Sequence, residues 1–103
     1  MVFIELHPFT RDLQDFLNDD DYSLMQGFLM NQPEHGTVIP ASGGLRKLRW
    51  RMPSRGKRGG LRIVYYWAVA EHIIYLLAVY AKSRKEDLTR AELSLLRTII
   101  EDE

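Results

Sequence analysis

Basic side chains are concentrated in one segment near the middle of the chain. From Leu45 to Arg62 there is no Asp or Glu and there are eight cations: Arg46, Lys47, Arg49, Arg51, Arg55, Lys57, Arg58 and Arg62. The whole chain has 14 basic and 14 acidic residues, so acidic residues elsewhere balance this segment. Segregated positive charge attracts phosphate groups, and clustered Lys and Arg are typical of nucleic-acid interfaces. The segment therefore predicts a protein that binds a polyanion.

Three of these cations, Lys47, Arg49 and Arg51, recur at every second position. The residues that alternate with them are apolar: Leu48, Trp50 and Met52. This pattern predicts a strand whose cations share one face, about 6.5 to 7 Å apart. That distance is close to the separation of phosphates along an extended nucleic-acid strand. The alternative is an exposed strand that uses charge to prevent edge pairing.

A cluster of Lys and Arg has the chemistry to cleave RNA without a metal. RNA carries its own nucleophile, the 2′-hydroxyl beside the scissile phosphate. Lysine crowded by other cations can accept a proton, and the planar guanidinium of arginine matches phosphate oxygens. The basic segment holds no carboxylate for a two-metal site, the three histidines lack metal-ligand spacing, and cysteine is absent. We therefore expect no metal and no cofactor.

Two further features lie close to this cluster in the sequence. The glycine-rich turn from Gly56 to Gly60 lacks the spacing of a phosphate-binding loop, but it carries Lys57 and Arg58 beside the sheet. Tyr80 ends a predicted strand two residues before Lys82, which makes it a candidate for contact with RNA. The other aromatic residues of the predicted strands are interpreted as core.

The periodicity of the apolar residues predicts one α+β domain covering residues 1–103. The expected order is an N-terminal strand, a helical hairpin, an antiparallel sheet of three consecutive strands and a C-terminal helix, with the helices on one sheet face. The predicted strands are Val2–Leu6, 47–52, Leu61–Val69 and Ile73–Tyr80, and the predicted helices are Thr10–Asn18, Asp19–Asn31 and Thr89–Ile100.

Local signals mark the ends of these elements. Thr10 and the run from Asp19 to Asp21 are the expected caps of the first two helices. Two capping boxes precede the last helix, in the pairs Ser83 with Glu86 and Thr89 with Glu92. The longest apolar run, 73–81, is too short to span a membrane, and the first residues, MVFIELHPF, lack the features of a secretory signal. We expect a cytoplasmic protein without membrane association.

The segments GGLRKLRW, GKRGGLRIVYYW and IYLLAVYAKSRKEDLT together resemble the RelE/ParE superfamily of bacterial toxins, particularly the HigB-like branch. The similarity extends from Gly43 to Glu92. It implies a small RelE-like α+β toxin of a type II toxin–antitoxin system that cleaves mRNA during translation. The implied partners are the ribosome, mRNA and a HigA-like antitoxin with a DNA-binding domain, and operator DNA only through the antitoxin complex.

The resemblance also assigns roles to individual residues. Arg62 matches the arginine that stabilises the phosphate, and Lys82 matches the basic residue after the last strand. Lys47 and Arg49 match positions for proton transfer and phosphate contact, and Lys57 and Arg58 match the basic loop of the HigB-like branch. The candidates for contact with RNA or the ribosome are Arg46, Arg49, Arg51, Arg58, Tyr80 and Lys85. Many relatives carry a Tyr or His near the C-terminus; here the segment 86–88 reads Glu-Asp-Leu, so the general acid is unassigned, with Tyr80 or Lys85 as substitutes to test.

The sequence thus predicts a metal-independent, ribosome-dependent endoribonuclease. Lys57 or Lys47 is the candidate base, and Arg62 and Lys82 are the candidate phosphate clamps. Two alternatives remain open: an inhibitor of DNA gyrase with the same fold, as ParE relatives are, and a nucleic-acid-binding module without catalytic activity.

Overall fold

The N-terminal part of the chain forms a strand and two helices. A computed structural model describes residues 1–51, 60–85 and 87–101. Strand β1 (Val2–Glu5) leads into helix α1 (His7–Phe16), and helix α2 (Asp19–Asn31) follows. Helix α1 begins three residues before the predicted Thr10, because Pro8 fits the first turn of a helix, where its missing amide proton is not needed. The Thr10 hydroxyl instead donates to Glu5 Oε1 at 2.7 Å.

Helix α2 has the predicted bounds but a different cap. The cap is Asn18, whose side-chain oxygen accepts a hydrogen bond from the Asp21 amide at 2.8 Å. The three aspartates that follow lie in the first turn, where negative charge interacts favourably with the helix dipole. The prediction of an aspartate cap was therefore wrong by one residue, while the predicted helix is confirmed.

The sheet has five strands in the order β1-β5-β4-β3-β2. The strands after α2 are β2 (Thr37–Val38), β3 (Arg46–Trp50), β4 (Leu61–Ala68) and β5 (Ile73–Ala81). Strands β3, β4 and β5 form the predicted antiparallel meander, and β1 pairs with β5 in parallel. Strand β2, which pairs with β3 over two residues, was not predicted because it is too short to show a period.

Helices cover both faces of this sheet. Helices α1 and α2 pack on one face, in a core that includes Ile63 and Tyr65 of β4. Helix α3 (Arg90–Glu101) packs on the other face, in a core with Val64. The expectation that all helices lie on one face was wrong. Strand β4 carries apolar side chains at consecutive positions, so both of its faces must be covered. We call these the helix-pair face and the α3 face.

A β-bulge in β5 determines which residues reach the α3 face. Val64 pairs with Ala78 and Tyr65 pairs with Leu76, so Leu77 is an extra residue. Leu77 and Ala78 therefore both contribute to the α3 core. The alternation of β5 reverses at this point, and Tyr80 lies on the α3 face instead of the helix-pair face.

Helix α3 begins with one of the two predicted capping boxes. The Glu92 amide donates to Thr89 Oγ1 at 3.1 Å, and Glu92 Oε1 accepts from the Thr89 amide at 2.8 Å. The other box includes Glu86, which lies outside the described residues. Within the described ranges, none of the helices is long and apolar enough to cross a membrane.

Candidate nucleic-acid interface

Three candidate residues lie side by side across the sheet. Arg62 on β4 is the direct partner of Arg49 on β3 and of Tyr80 on β5. Residues directly opposite each other on antiparallel strands project to the same face, with Cβ atoms about 4.5–5.5 Å apart. All three therefore lie on the α3 face, at the end of the sheet where β4 begins. We call them the Arg–Tyr row (Arg49, Arg62 and Tyr80).

Arg62, in the centre of the row, is 7% exposed. Its Nη1 donates to the Leu61 carbonyl oxygen at 3.3 Å. Within the described ranges no carboxylate lies at ion-pair distance from the guanidinium. A buried cation is stabilised by an anion, so this position suits a phosphate group.

Tyr80 supplies a hydroxyl next to this guanidinium. Burial raises the pKa of Tyr80 to about 12; the negative charge of Asp87 adds to this rise, while the positive charge of Arg62 opposes it. At neutral pH the side chain therefore keeps its proton. It can donate a hydrogen bond to a phosphate oxygen, but it is not available as a base.

Lys47 lies two residues before Arg49 on β3 and lines a cleft of about 290 Å³. One wall of the cleft is residues 37–40, the other includes Asp87 and Leu88, and Val64 and Tyr80 also line it. Lys47 Nζ contacts Asp87 Oδ1 at 2.5 Å. The structure therefore places this predicted cation on the expected face, but in contact with a carboxylate.

The candidates that follow β5 lie near the same end of the sheet. The Lys82 amide donates to the Gly60 carbonyl oxygen at 3.3 Å, so this exposed residue follows Tyr80 along the edge of the row. Lys85 Nζ contacts both carboxylate oxygens of Glu92, at 2.7 and 2.5 Å. The hydrogen bonds from Lys85 and then from the Thr89 amide lower the pKa of Glu92. Lys85 thus supports the start of α3.

Arg46 lies apart from the row, on the helix-pair face, since its partner Tyr65 belongs to that core. Its Nη1 donates to the carbonyl oxygens of Glu34 at 2.9 Å and Gly36 at 2.8 Å. This contact holds the segment before β2 against β3. Arg51 is exposed after β3. Lys57 and Arg58 lie outside the described residues.

Asp87 is the residue of this site that sequence reasoning missed. Forty positions separate it from Lys47, and an acidic residue in a polar segment gives no signal of contact with a distant strand. The sequence did show that 86–88 lacks a Tyr or His, but this absence did not reveal what the aspartate contacts. Its position follows from the path of the chain between β5 and α3.

Comparison with known proteins identifies the fold. The chain matches no family model. Among solved structures it is similar to the Escherichia coli toxin RelE, determined as a double mutant in the free state. The TM-score is 0.58 at 11% sequence identity, and the match covers 82% of this chain and 86% of that chain. The predicted RelE-like fold is confirmed, and the likeness reaches no further than the fold.

Proposed function

We propose that this protein is the toxin of a type II toxin–antitoxin system and that it cleaves mRNA on the ribosome. The observation that carries the proposal is the Arg–Tyr row, in which a nearly buried guanidinium is flanked by a second arginine and a protonated tyrosine. The RelE-like fold supports it, since the neighbour of known structure is itself a toxin. We also propose that the toxin belongs to the HigB-like branch, which its sequence resembles.

In the proposed reaction the scissile phosphate binds over the row. Arg62 and Arg49 donate to its non-bridging oxygens and stabilise the charge that develops there. Lys57 or Lys47 takes the proton of the 2′-hydroxyl, whose oxygen attacks phosphorus while the bond to the 5′-oxygen breaks. The products are a 2′,3′-cyclic phosphate and a 5′-hydroxyl. Tyr80 is our candidate for the proton donor to the leaving oxygen, and Lys82 adds positive charge.

The proposed partners follow from the same function. The ribosome and mRNA are the targets, and a HigA-like antitoxin with a DNA-binding domain neutralises the toxin. Operator DNA is bound only through the antitoxin complex, and the site of action is the cytoplasm. Coexpression with the neighbouring reading frame tests the antitoxin directly, because relief of growth arrest by that gene product is the expected result.

An in vitro translation assay tests the activity. Wild-type protein should truncate the message only when ribosomes are present. Arg49→Ala and Arg62→Ala should each slow cleavage by about 10²–10³-fold, the effect of losing one donor to a developing oxyanion. Arg49 is exposed, so its variant should fold normally. Arg97→Ala is the matched control, since Arg97 on α3 contacts the Gly43 carbonyl oxygen and the Tyr66 ring, away from the row.

The same assay separates the alternatives. A gyrase inhibitor would leave translation intact and block DNA supercoiling, whereas a binding module without catalytic activity would leave both the message and gyrase unaffected. Full activity in folded Arg49→Ala and Arg62→Ala would show that the row is not the site.

A further inference from the structure

The Lys47–Asp87 contact places a carboxylate on a cation beside the Arg–Tyr row. Lys47 Nζ and Asp87 Oδ1 are 2.5 Å apart, and the side chains are 29% and 64% exposed. Carboxylate and phosphate oxygens bind an ammonium group with the same charge-assisted hydrogen bond. An incoming anion competes with the Asp87 carboxylate for Lys47, and the high exposure of Asp87 leaves the carboxylate free to move away.

The surroundings of the pair indicate which anion this is. Lys47 and Arg49 lie on the same face of β3, about 6.5 to 7 Å apart, which is close to the separation of neighbouring phosphates. Arg49 belongs to the Arg–Tyr row, so a nucleic-acid strand that crosses the row would bring its next phosphate to Lys47. Asp87 occupies that place and lines the same cleft.

We propose that the Asp87 carboxylate occupies a phosphate-binding position at Lys47 and competes there with single-stranded nucleic acid. The proposal rests on the proposed function and extends it. A half-exposed ion pair contributes only about 0.2–1 kcal/mol, so a substrate held by further contacts can displace the carboxylate. Asp87 therefore weakens the binding of nucleic acid at Lys47.

Binding of an uncleavable oligonucleotide tests this. The probe is a fluorescent single-stranded 2′-deoxyoligonucleotide, whose dissociation constant is measured by anisotropy over a series of salt concentrations. Asp87→Asn should bind about two- to fivefold more tightly at low salt. The plot of log affinity against log salt should steepen by about 0.7, the value for one additional phosphate contact on a single strand.

Two further variants show whether the effect acts through Lys47. Asp15→Asn makes the same change of charge on the exposed surface of α1, which packs on the opposite face of the sheet, and should leave the slope unchanged. In a Lys47→Met background, Asp87→Asn should increase the affinity for the probe by no more than Asp15→Asn does. Circular dichroism checks that each variant is folded, and the high exposure of Asp87 makes its replacement harmless to the core.

The binding results test the role of Asp87 whether or not the protein cleaves RNA. Unchanged, weaker or unmeasurable binding by Asp87→Asn overturns it, and so does an equal gain in the Lys47→Met background. The probe cannot be cleaved, so its binding does not depend on nuclease activity. If Asp87→Asn binds more tightly only when Lys47 is present, but the wild type does not truncate the message, this inference stands and only the proposed activity is refuted. If the wild type truncates the message but Asp87→Asn shows no gain in affinity that depends on Lys47, only the role of Asp87 is refuted.

Discussion

The hydroxyl of Tyr65 connects the segment before β2 to the centre of the sheet. Tyr65 is fully buried on β4, and its hydroxyl donates to the Pro33 carbonyl oxygen at 2.7 Å and accepts from the Gly36 amide at 2.9 Å. Burial raises the pKa of Tyr65, so the hydroxyl keeps its proton and both bonds persist at neutral pH. These bonds fix the segment that leads into the cleft wall at 37–40.

Tyr65→Phe should therefore lower the free energy of unfolding by about 2–4 kcal/mol. The substitution leaves one buried amide and one buried carbonyl without a partner, and each such group costs about 1–3 kcal/mol. We expect the lower part of the summed range, because the segment can move enough for water to reach one of the two groups. For a domain of this size the loss corresponds to a fall in melting temperature of roughly 10–30 °C.

Urea denaturation measures this change, and an unchanged m-value would show that the native fold is retained. Tyr75→Phe is the matched control, since Tyr75 is half-buried on β5 and its hydroxyl bonds to no residue that the structure describes. It should alter the free energy of unfolding by less than about 0.5 kcal/mol. If Tyr65→Phe were no more destabilising than this control, the two buried hydrogen bonds would not hold the segment, and the reasoning would be refuted.

The start of α3 yields two further predictions. Thr89→Ala should lower the free energy of unfolding by about 1 kcal/mol, because the Glu92 amide loses its hydrogen-bond partner. The control Thr98→Ala, in the same helix, should not destabilise the protein. Equal effects of the two substitutions in thermal denaturation would contradict a capping role for Thr89. The pKa of Glu92 is lowered below 4.5 in the folded protein. Ionised Glu92 therefore contributes fully to the free energy of unfolding above pH 4.5, and this contribution disappears as the pH falls through the lowered pKa. The stability difference between wild type and Glu92→Gln should follow that course in denaturation at different pH, and a constant difference down to about pH 3 would argue against the Lys85 contact.

Most of the elements could be predicted from the sequence because their signals are local. The alternation in β3 and the capping residues at Thr89 and Glu92 depend on neighbours within a few positions. The start of α1 was misplaced because Thr10 has the side chain of a cap. The helix instead begins around Pro8, and the Thr10 hydroxyl donates to the Glu5 carboxylate.

The candidate site was only partly predictable. The sequence identified Arg62, Arg49 and Tyr80 as candidates, but not that they are cross-strand partners. It grouped Arg46 with them, although Arg46 lies on the opposite face and binds backbone carbonyl oxygens. One residue separates Arg46 from Lys47, and on a strand that single step changes the face.

The sequence by itself determined where the charge lies and which segments are helix or strand, because both properties are fixed by residues close together along the chain. Only the tertiary structure decided which residues of different segments share a surface with these cations. The bulge in β5 brings Tyr80 beside Arg62, and the path from β5 to α3 brings Asp87 to Lys47. Both contacts join segments that are far apart in the sequence. Such contacts are set by how whole segments pair and pack, and not by the identity of any one residue.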